Sequence, residues 1–226
     1  GLGFSGDDLG YLRKKKIFSE EFLKYLSRLK FTGDIWAMPE GEIFFADEPV
    51  LRVTAPVIEA QIIESFLLNT INLQTMIVSK AARVACAAVG TGLYDFSLRR
   101  TQGSDAGIKA ARSSYIAGFK GTSNVLAGRL YRIPIVGTMA HSFVMSFKQE
   151  IDSFLAYSST FPSKTILLVD TYDTKKGIEN AIKIGEYLKE KGYRLLGVRL
   201  DSGDIVAWSK LARRMLDKAA LTFVKI

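Results

Sequence analysis

Residues 165–201 read TILLVDTYDTKKGIENAIKIGEYLKEKGYRLLGVRLD, and this stretch decides the fold. Two apolar runs, residues 165–169 and 194–200, are each followed by an aspartate, and apolar residues at helical spacing lie between them. Gly192 stands where the C-terminal cap of that helix is expected. A second amphipathic helix follows the second run, and residues 222–226 begin a third strand. The order β-α-β-α-β predicts an α/β fold with parallel strands that are buried on both faces.

Polar residues follow these predicted strands at the point where each strand ends. Asp170 and Asp201 come directly after the two apolar runs, and Arg199 lies at the end of the second run. Because the carboxyl ends of parallel strands meet at one edge, we expect the three side chains to share one rim, where active sites of such folds lie. Each residue taken alone also fits a helix cap or a salt bridge of a βα loop.

The first part of the chain has a different pattern. Residues 33–54 contain short β-branched and aromatic runs separated by turn-forming residues, which predicts an antiparallel unit. Pro56 is placed to open a long helix, with Glu59 in its first turn. We expect this helix to break once near Asn72 and to run toward Gly90.

Composition narrows the class of protein. The 226 residues are 48% apolar and 24% charged, which predicts a packed core and excludes intrinsic disorder. The single cysteine, Cys86, provides neither a disulfide framework nor a thiol cluster for a metal. The first residues lack the pattern of a secretory signal, and charged and amide residues interrupt the apolar stretch 57–89 too evenly for a membrane span. We therefore expect a cytoplasmic protein that does not enter a membrane.

The net charge of +8 has two interpretations. Either the Lys and Arg residues cover solvated helix faces, or some of them form a site for small polyanions. Arg99, Arg100 and Arg199 occupy turn-like positions where guanidinium groups can bind carboxylate or phosphate. The basic run at residues 13–16 is short and no aromatic residues alternate with it, so we expect no nucleic-acid partner.

The motifs that carry chemistry are concentrated between residues 94 and 146, with two more in the final third. They are FSLRRTQGSD (96–105), GFKGTSNVLAG (118–128), GTMAHSFVMSF (137–147), VDTYDT (169–174) and VRLDSGD (198–204). In these motifs the chain resembles nicotinate phosphoribosyltransferases. The resemblance extends over nearly the whole chain, from LKFTGDI (29–35) and EPVLRVTAP (48–56) through EAQIIESFLLNTINLQT (59–75).

This resemblance implies a fold and a reaction. Residues 1–89 would form part of an N-terminal α+β domain with a long helix, and residues 90–226 part of an irregular parallel α/β barrel that carries out catalysis. The chain ends on an expected buried strand, so we expect further residues at both ends, and the family's loops for the 5′-phosphate would lie beyond Ile226. The enzyme would be a homodimer that joins nicotinate to phosphoribosyl pyrophosphate, giving nicotinate mononucleotide and pyrophosphate, with Mg²⁺ present and ATP hydrolysed alongside.

The resemblance also assigns residues. His141 is the only histidine, expected just after a strand at residues 133–138, and it matches the histidine that ATP phosphorylates in this family. A lone histidine is otherwise more often structural. Thr138 is similar to the family's nicotinate-binding threonine. Asp170 and Asp201 would balance charge around the ribose and magnesium as the C1 centre becomes cationic.

Two further residues are expected to contact the substrate, and no metal ligand is assigned. Phe96 offers a flat face for a pyridine ring, although it fits a core position equally well. Arg99, together with Arg199, would pair with the nicotinate carboxylate or with phosphates.

Three alternatives are weighed against this assignment. Nicotinamide phosphoribosyltransferases share part of these motifs but have an aspartate where this chain has Ser123, so a serine favours the acid substrate. Ser123 also fits a simple N-cap of the helix that follows it. Quinolinate phosphoribosyltransferases lack the histidine motif, and a non-catalytic binding or regulatory relative stays open.

Overall fold

The computed structural model describes residues 2–226, which form two compact units: the first ends at Val136 and the second spans Gly137–Ile226. The mixed α/β class predicted from the sequence is confirmed, whereas the domain boundary after residue 89 stays a prediction. The first unit contains helices α1 (Gly6–Lys15), α2 (Glu20–Leu26), α3 (Val57–Ala87), α4 (Ser104–Ile116) and α5 (Val125–Tyr131), and strands β1 (Asp34–Ala37), β2 (Leu51–Thr54), β3 (Tyr94–Asp95) and β4 (Gly121–Thr122). The second contains α6 (His141–Met145), α7 (Glu150–Thr160), α8 (Thr174–Glu190), α9 (Ile205–Lys218), β5 (Ile166–Leu168) and β6 (Gly197–Arg199).

The antiparallel unit predicted for residues 33–54 is present in the first unit. Strands β1 and β2 pair antiparallel, with Ile35 opposite Val53. The helix that follows is anchored at its start because Glu59, only 4% exposed, accepts hydrogen bonds from the Thr32 backbone N–H at 2.7 Å and the Thr32 hydroxyl at 3.0 Å. Glu59 therefore binds a specific donor pair and does more than complement the helix dipole.

The expected break of α3 near Asn72 is wrong, because α3 is continuous over its 31 residues. The side chain of Asn72 is exposed and, within the described residues, does not bond to the helix backbone, so it does not compete with the backbone hydrogen bonds of the helix. Among residues 2–226, no helix is both long enough and apolar enough to cross a membrane.

The strand expected at residues 133–138 is reduced to a single parallel bridge between Ile135 and Thr122. The Thr122 N–H donates to the Pro134 carbonyl at 3.0 Å, and the Val136 N–H donates to the Thr122 carbonyl at 3.0 Å. Pro134 has no N–H of its own, so the pairing cannot extend as a regular ladder through it. Strands β3 and β4 beside this bridge are parallel, with Asp95 opposite Thr122.

The second unit is organised around the parallel pair of β5 and β6, as the sequence predicts. Leu167, Leu168 and Val169 are at most 1% exposed, and they pack in one core with residues of α7, α8 and α9. Helix α8 ends as expected, since Gly192 has a φ of +79° and the Tyr193 N–H donates back to the Leu188 carbonyl at 2.8 Å.

The third strand expected at residues 222–226 is present only as a bridge between Lys225 and Gly197. The Lys225 N–H donates to the Leu196 carbonyl at 3.0 Å, and the Lys225 carbonyl accepts from Val198 at 2.9 Å. The direction is parallel, as predicted, but the regular pairing covers one residue.

One close contact fixes α8 against the end of β5. A Cβ added to Gly177 would lie 2.0 Å from the Val169 carbonyl oxygen, which is backbone and cannot rotate away. The helix therefore approaches the strand so closely that only glycine fits at this position.

We predict that Gly177→Ala lowers the free energy of unfolding by about 1–3 kcal/mol, the usual cost of overpacking a tight contact. Gly10→Ala in α1 is the matched control, because nothing lies within 4 Å of the added methyl group. Denaturant or thermal unfolding of both variants measures the difference. Equal stabilities would show that the contact at Val169 is not limiting.

Candidate active site

The site lies at the carboxyl ends of β5 and β6. Leu168 pairs with Arg199 in the parallel register, and the Val169 N–H donates to the Arg199 carbonyl at 3.1 Å. The residues that follow the two strands, Asp170 and Asp201, are therefore brought to the same edge, as the sequence predicts.

Asp170 links the two strand ends. The side chain is 7% exposed, and its Oδ2 accepts from the Asp201 backbone N–H at 2.7 Å and from the Ser202 hydroxyl at 2.7 Å. Its Oδ1 is also buried and receives no hydrogen bond from residues 2–226. A buried carboxylate oxygen of this kind calls for a further donor or cation, since leaving it desolvated is costly.

Arg199 connects this rim to the segment that precedes α6. One guanidinium nitrogen donates to the Thr138 hydroxyl at 2.6 Å and another donates to Asp201 Oδ1 at 3.0 Å. The Thr138 hydroxyl in turn donates to the Met139 carbonyl at 3.2 Å. Thr138 and Asp201 thus bind two different nitrogens and fix the guanidinium plane, whereas an ammonium group has one nitrogen and no plane to fix.

His141 is the first residue of α6 rather than a residue that follows a strand. Its Nδ1 lies 3.1 Å from the Thr171 hydroxyl, and its Nε2 lies 3.5 Å from Asp201 Oδ2. If Thr171 donates to Nδ1, the ring proton is on Nε2, and this N–H faces the Asp201 carboxylate. The side chain of His141 is 38% exposed, so solvent and small molecules reach the ring.

The pKa of Asp201 reflects these neighbours. Partial burial raises the pKa, but the hydrogen bond and charge of Arg199, followed by those of His141, outweigh burial and leave the pKa below its usual value. Asp201 therefore stays ionised at neutral pH, and its charge is matched by the Arg199 guanidinium.

Thr171 and Ser202 were not singled out in the sequence, yet each contacts a predicted site residue. A signal was available, because each directly follows one of the aspartates that end the strands, in VDTYDT and VRLDSGD. Hydroxyl residues at such positions often bond to nearby polar groups.

The other predicted site residues, Phe96, Arg99 and Ser123, lie in the first unit. Phe96 is 43% exposed and is therefore not a core residue, while Arg99 lies in the short 3-10 helix Leu98–Arg100. The cap interpretation of Ser123 is wrong, because the side chain of Asn124 caps α5 by accepting from Ala127.

Comparison with known proteins identifies the family. Residues 1–72 match the nicotinate phosphoribosyltransferase N-terminal domain, and residues 91–226 match the nicotinate phosphoribosyltransferase family. The chain belongs to the nicotinate phosphoribosyltransferase family. The resemblance stated from the motifs is thereby confirmed.

Curated members of the family align along almost the whole chain. A nicotinate phosphoribosyltransferase from Mycobacterium tuberculosis is 50% identical over 99% of this chain and 48% of its own length. One from Bacillus subtilis is 44% identical over 99% of this chain and 45% of its own length. The chain spans about half the length of these relatives.

Two solved structures resemble most of the chain. The crystal structure of human nicotinic acid phosphoribosyltransferase matches with a TM-score of 0.90 at 30% identity, over 97% of this chain and 54% of that chain. A nicotinate-nucleotide pyrophosphorylase from Pyrococcus furiosus matches with a TM-score of 0.76 at 27% identity, over 91% of this chain and 53% of that chain.

We predict that Thr171→Val releases Nδ1 of His141 and changes the imidazole ¹⁵N chemical shifts, because a methyl group replaces the hydroxyl that lies 3.1 Å away. Thr171→Ser retains the hydroxyl and should keep the wild-type spectrum. A His141→Asn variant assigns the signals. An imidazole spectrum that is the same in Thr171→Val and wild type would contradict the hydrogen bond.

Proposed function

We propose that the protein is an ATP-coupled nicotinate phosphoribosyltransferase, which forms nicotinate mononucleotide and pyrophosphate from nicotinate and phosphoribosyl pyrophosphate in NAD biosynthesis or salvage. The observation that carries the proposal is the Arg199 guanidinium held between Thr138 and Asp201, beside His141, at the ends of two parallel strands. A fixed cation, an exposed imidazole and two carboxylates are the groups that such a reaction needs.

Recognition of nicotinate would use the cation and the hydroxyl of this rim. Arg199 and Thr138 are both suited to a carboxylate, since a guanidinium pairs with it in a planar fork and a hydroxyl donates to it. Phe96, with an exposed ring, would stack on the pyridine, and Arg99 would pair with the carboxylate or with phosphate.

Glycosyl transfer would depend on charge stabilisation. The pyridine nitrogen bonds to C1 of the phosphoribosyl group while the bond from C1 to the pyrophosphate oxygen breaks, and the electron pair leaves with pyrophosphate. Positive charge develops at the ribose during this exchange. Asp170 and the ionised Asp201 would stabilise that charge electrostatically, without transferring a proton.

His141 would couple the reaction to ATP. A ring nitrogen would take the γ-phosphoryl group as ADP leaves, and water would later hydrolyse the phosphorus–nitrogen bond. Thr171 at Nδ1 and Asp201 near Nε2 would fix the plane of the ring during both steps.

Magnesium fits this donor set only together with substrate. Among residues 2–226 there is no group of three or more His, Cys, Asp or Glu side chains arranged to hold a metal ion. The unpaired Oδ1 of Asp170 is nevertheless a hard oxygen ligand, and Mg²⁺ commonly binds through one or two carboxylates plus substrate phosphates. Asp170 is therefore the residue that we propose to hold it, where the ion would neutralise the charge of the leaving pyrophosphate.

Assembly as a homodimer and a cytoplasmic location are part of the same proposal. Helix α3 exposes large apolar side chains, among them Phe66 at 69%, Leu68 at 62% and Met76 at 64%. Large apolar side chains exposed on several sides of one helix are typical of a helix that further protein covers.

Two other functions have specific consequences. A nicotinamide phosphoribosyltransferase would favour the amide substrate. An aspartate accepts a hydrogen bond from that amide and repels a carboxylate, whereas the hydroxyl of Ser123 does not exclude the carboxylate of nicotinate. A non-catalytic relative would bind nicotinate or phosphoribosyl pyrophosphate and be stabilised by them, without forming product.

The first functional prediction concerns His141→Ala. We expect wild-type enzyme to form nicotinate mononucleotide faster with ATP, and His141→Ala to lose this stimulation and all labelling by γ-³²P ATP, while slow ATP-independent synthesis survives. Met145→Ala is the control, since Met145 is 62% exposed on the same helix. Labelling of His141→Ala would contradict the role of His141, and absence of product from the wild type would contradict the proposed function.

The second functional prediction concerns Ser123→Asp. The introduced carboxylate would repel the carboxylate of bound nicotinate, so the catalytic efficiency for nicotinate should fall by about tenfold or more. The catalytic efficiency for nicotinamide should fall less or rise. Ser123→Ala serves as control for loss of the hydroxyl alone. The catalytic efficiency of each variant is measured with nicotinate and with nicotinamide. An unchanged preference for nicotinate would show that residues other than Ser123 determine selectivity.

A further inference from the structure

A buried carboxylate in the first unit has no role in the proposed chemistry. Asp95 ends β3 and is only 4% exposed. It directly precedes Phe96, and its partner across the parallel pair is Thr122, which directly precedes Ser123. The two residues proposed to select the pyridine substrate are thus the next residues along each of these strands.

Asp95 binds both strand ends through its side chain and its backbone. Its Oδ1 accepts from the Ser97 N–H at 3.0 Å, and its Oδ2 accepts from the Thr122 hydroxyl at 2.7 Å. Its backbone carbonyl accepts from the Ser123 N–H at 2.8 Å. Thr122 Oγ1 also accepts from the Asn124 N–H at 3.0 Å, so the chain of hydrogen bonds runs from Ser97 to Asn124 through one carboxylate.

The arrangement goes beyond a local turn. An aspartate that accepts from the N–H two residues later is a common turn motif, and the bond from Ser97 is of this kind. The bond from Thr122 comes from 27 residues away, and both side chains are buried, Thr122 fully so. Buried hydrogen bonds between charged and neutral groups are strong and fix geometry closely.

Phe96 and Ser123 are each enclosed by this network. Phe96 lies between Asp95 and Ser97, which are joined to each other, and Ser123 lies between Thr122 and Asn124, which are also joined. The side-chain bond between Asp95 and Thr122 then holds the two segments together beside the backbone bond from the Ser123 N–H to the Asp95 carbonyl. The backbone pairing beside this bond covers only two residues on each strand, so loss of the bond should let the segments that carry Phe96 and Ser123 move more freely.

We infer that Asp95 is a positioning residue for pyridine recognition: through Thr122 it fixes the spacing of Phe96 and Ser123, and it does not itself touch the substrate. This inference rests on the proposed function. The hydrogen bond between Asp95 and Thr122 would support the affinity for nicotinate and the selection of nicotinate over nicotinamide. Other residues would bind phosphoribosyl pyrophosphate and ATP.

The test compares substitutions that break the bond with substitutions that do not. Thr122→Val removes the hydroxyl at nearly the same volume, Thr122→Ser retains it, and Asp95→Asn replaces the accepting Oδ2 by a donor or turns the amide away from Ser97. Thr165→Val is the matched control for stability. Thr165 is also fully buried and donates to the Phe161 carbonyl at 2.8 Å, but it lies in the second unit.

A second control lies within the network. The Ser97 hydroxyl is buried and receives no hydrogen bond from residues 2–226, whereas the Ser97 backbone N–H makes the bond to Asp95. Ser97→Ala therefore keeps the network and removes only an unpaired hydroxyl, and it should leave nicotinate binding unchanged.

We expect Thr122→Val and Asp95→Asn each to raise the KM for nicotinate by about tenfold, consistent with an unpaired buried group, and to narrow the preference for nicotinate over nicotinamide. The KM values for phosphoribosyl pyrophosphate and ATP should stay near wild type. Thr122→Ser should restore the nicotinate KM, and the double variant Asp95→Asn/Thr122→Val should be no worse than the poorer single variant, because both remove the same bond.

Hydrogen exchange of the substrate-free protein separates this inference from the proposed function. Loss of protection at the Ser97 and Asn124 amides in Thr122→Val supports the network whether or not the enzyme is active. If protection falls while the nicotinate KM and the substrate preference match those of Thr165→Val, the network is only structural and the inference is overturned. Unchanged protection also overturns it. Lack of activity in the wild type would instead contradict the proposed function.

Discussion

The parallel pairing of β5 with β6 is the constraint on which the second unit depends. The register places Leu168 opposite Arg199, and the fully buried Leu167 and Val169 fix that strand in the core. Gly177 then lets α8 approach the Val169 carbonyl more closely than any side chain would permit. With the strand ends held in this way, the residues after them have little freedom, and Asp170 and Asp201 must meet at one edge.

The same device occurs twice, once in each unit. In both parallel pairs an aspartate follows or ends the earlier strand, and its carboxylate accepts a backbone N–H and a side-chain hydroxyl. Asp170 receives both from the loop after β6, at Asp201 and Ser202, whereas Asp95 receives them from Ser97 and Thr122. In each case a buried carboxylate joins the loops that carry candidate substrate-binding residues, because charged acceptors form stronger hydrogen bonds than neutral ones.

The parts of the fold and site that could be predicted from the sequence are those set by periodic patterns of apolar residues. The rim of Asp170, Arg199 and Asp201 could be predicted because two apolar runs separated by a helical pattern indicate parallel strands, whose carboxyl ends lie at one edge. The strand expected at residues 133–138 was not predicted correctly. Its apolar residues are typical of a strand, but Pro134 has no N–H to donate to a neighbouring strand, so regular pairing is limited to one bridge. The contact between His141 and Thr171 depends on side-chain directions across 30 residues of sequence, which no local pattern encodes. Asn124 rather than Ser123 caps α5, and both residue types are good caps, so propensity alone does not choose between them.

The charge state of Asp201 explains why the rim keeps its geometry at neutral pH. Burial opposes ionisation, but Arg199 and His141 lower the pKa of Asp201 below its ordinary value. A carboxyl group with a lowered pKa in the folded protein stabilises the fold above its unfolded pKa, and this stabilisation is lost only as the pH falls through the folded value. That window lies in the acidic range, well away from neutral pH. Because the carboxylate persists, Arg199 keeps its second anchor beside Thr138, and the guanidinium presents a positive charge at a fixed position, as recognition of a small carboxylate requires.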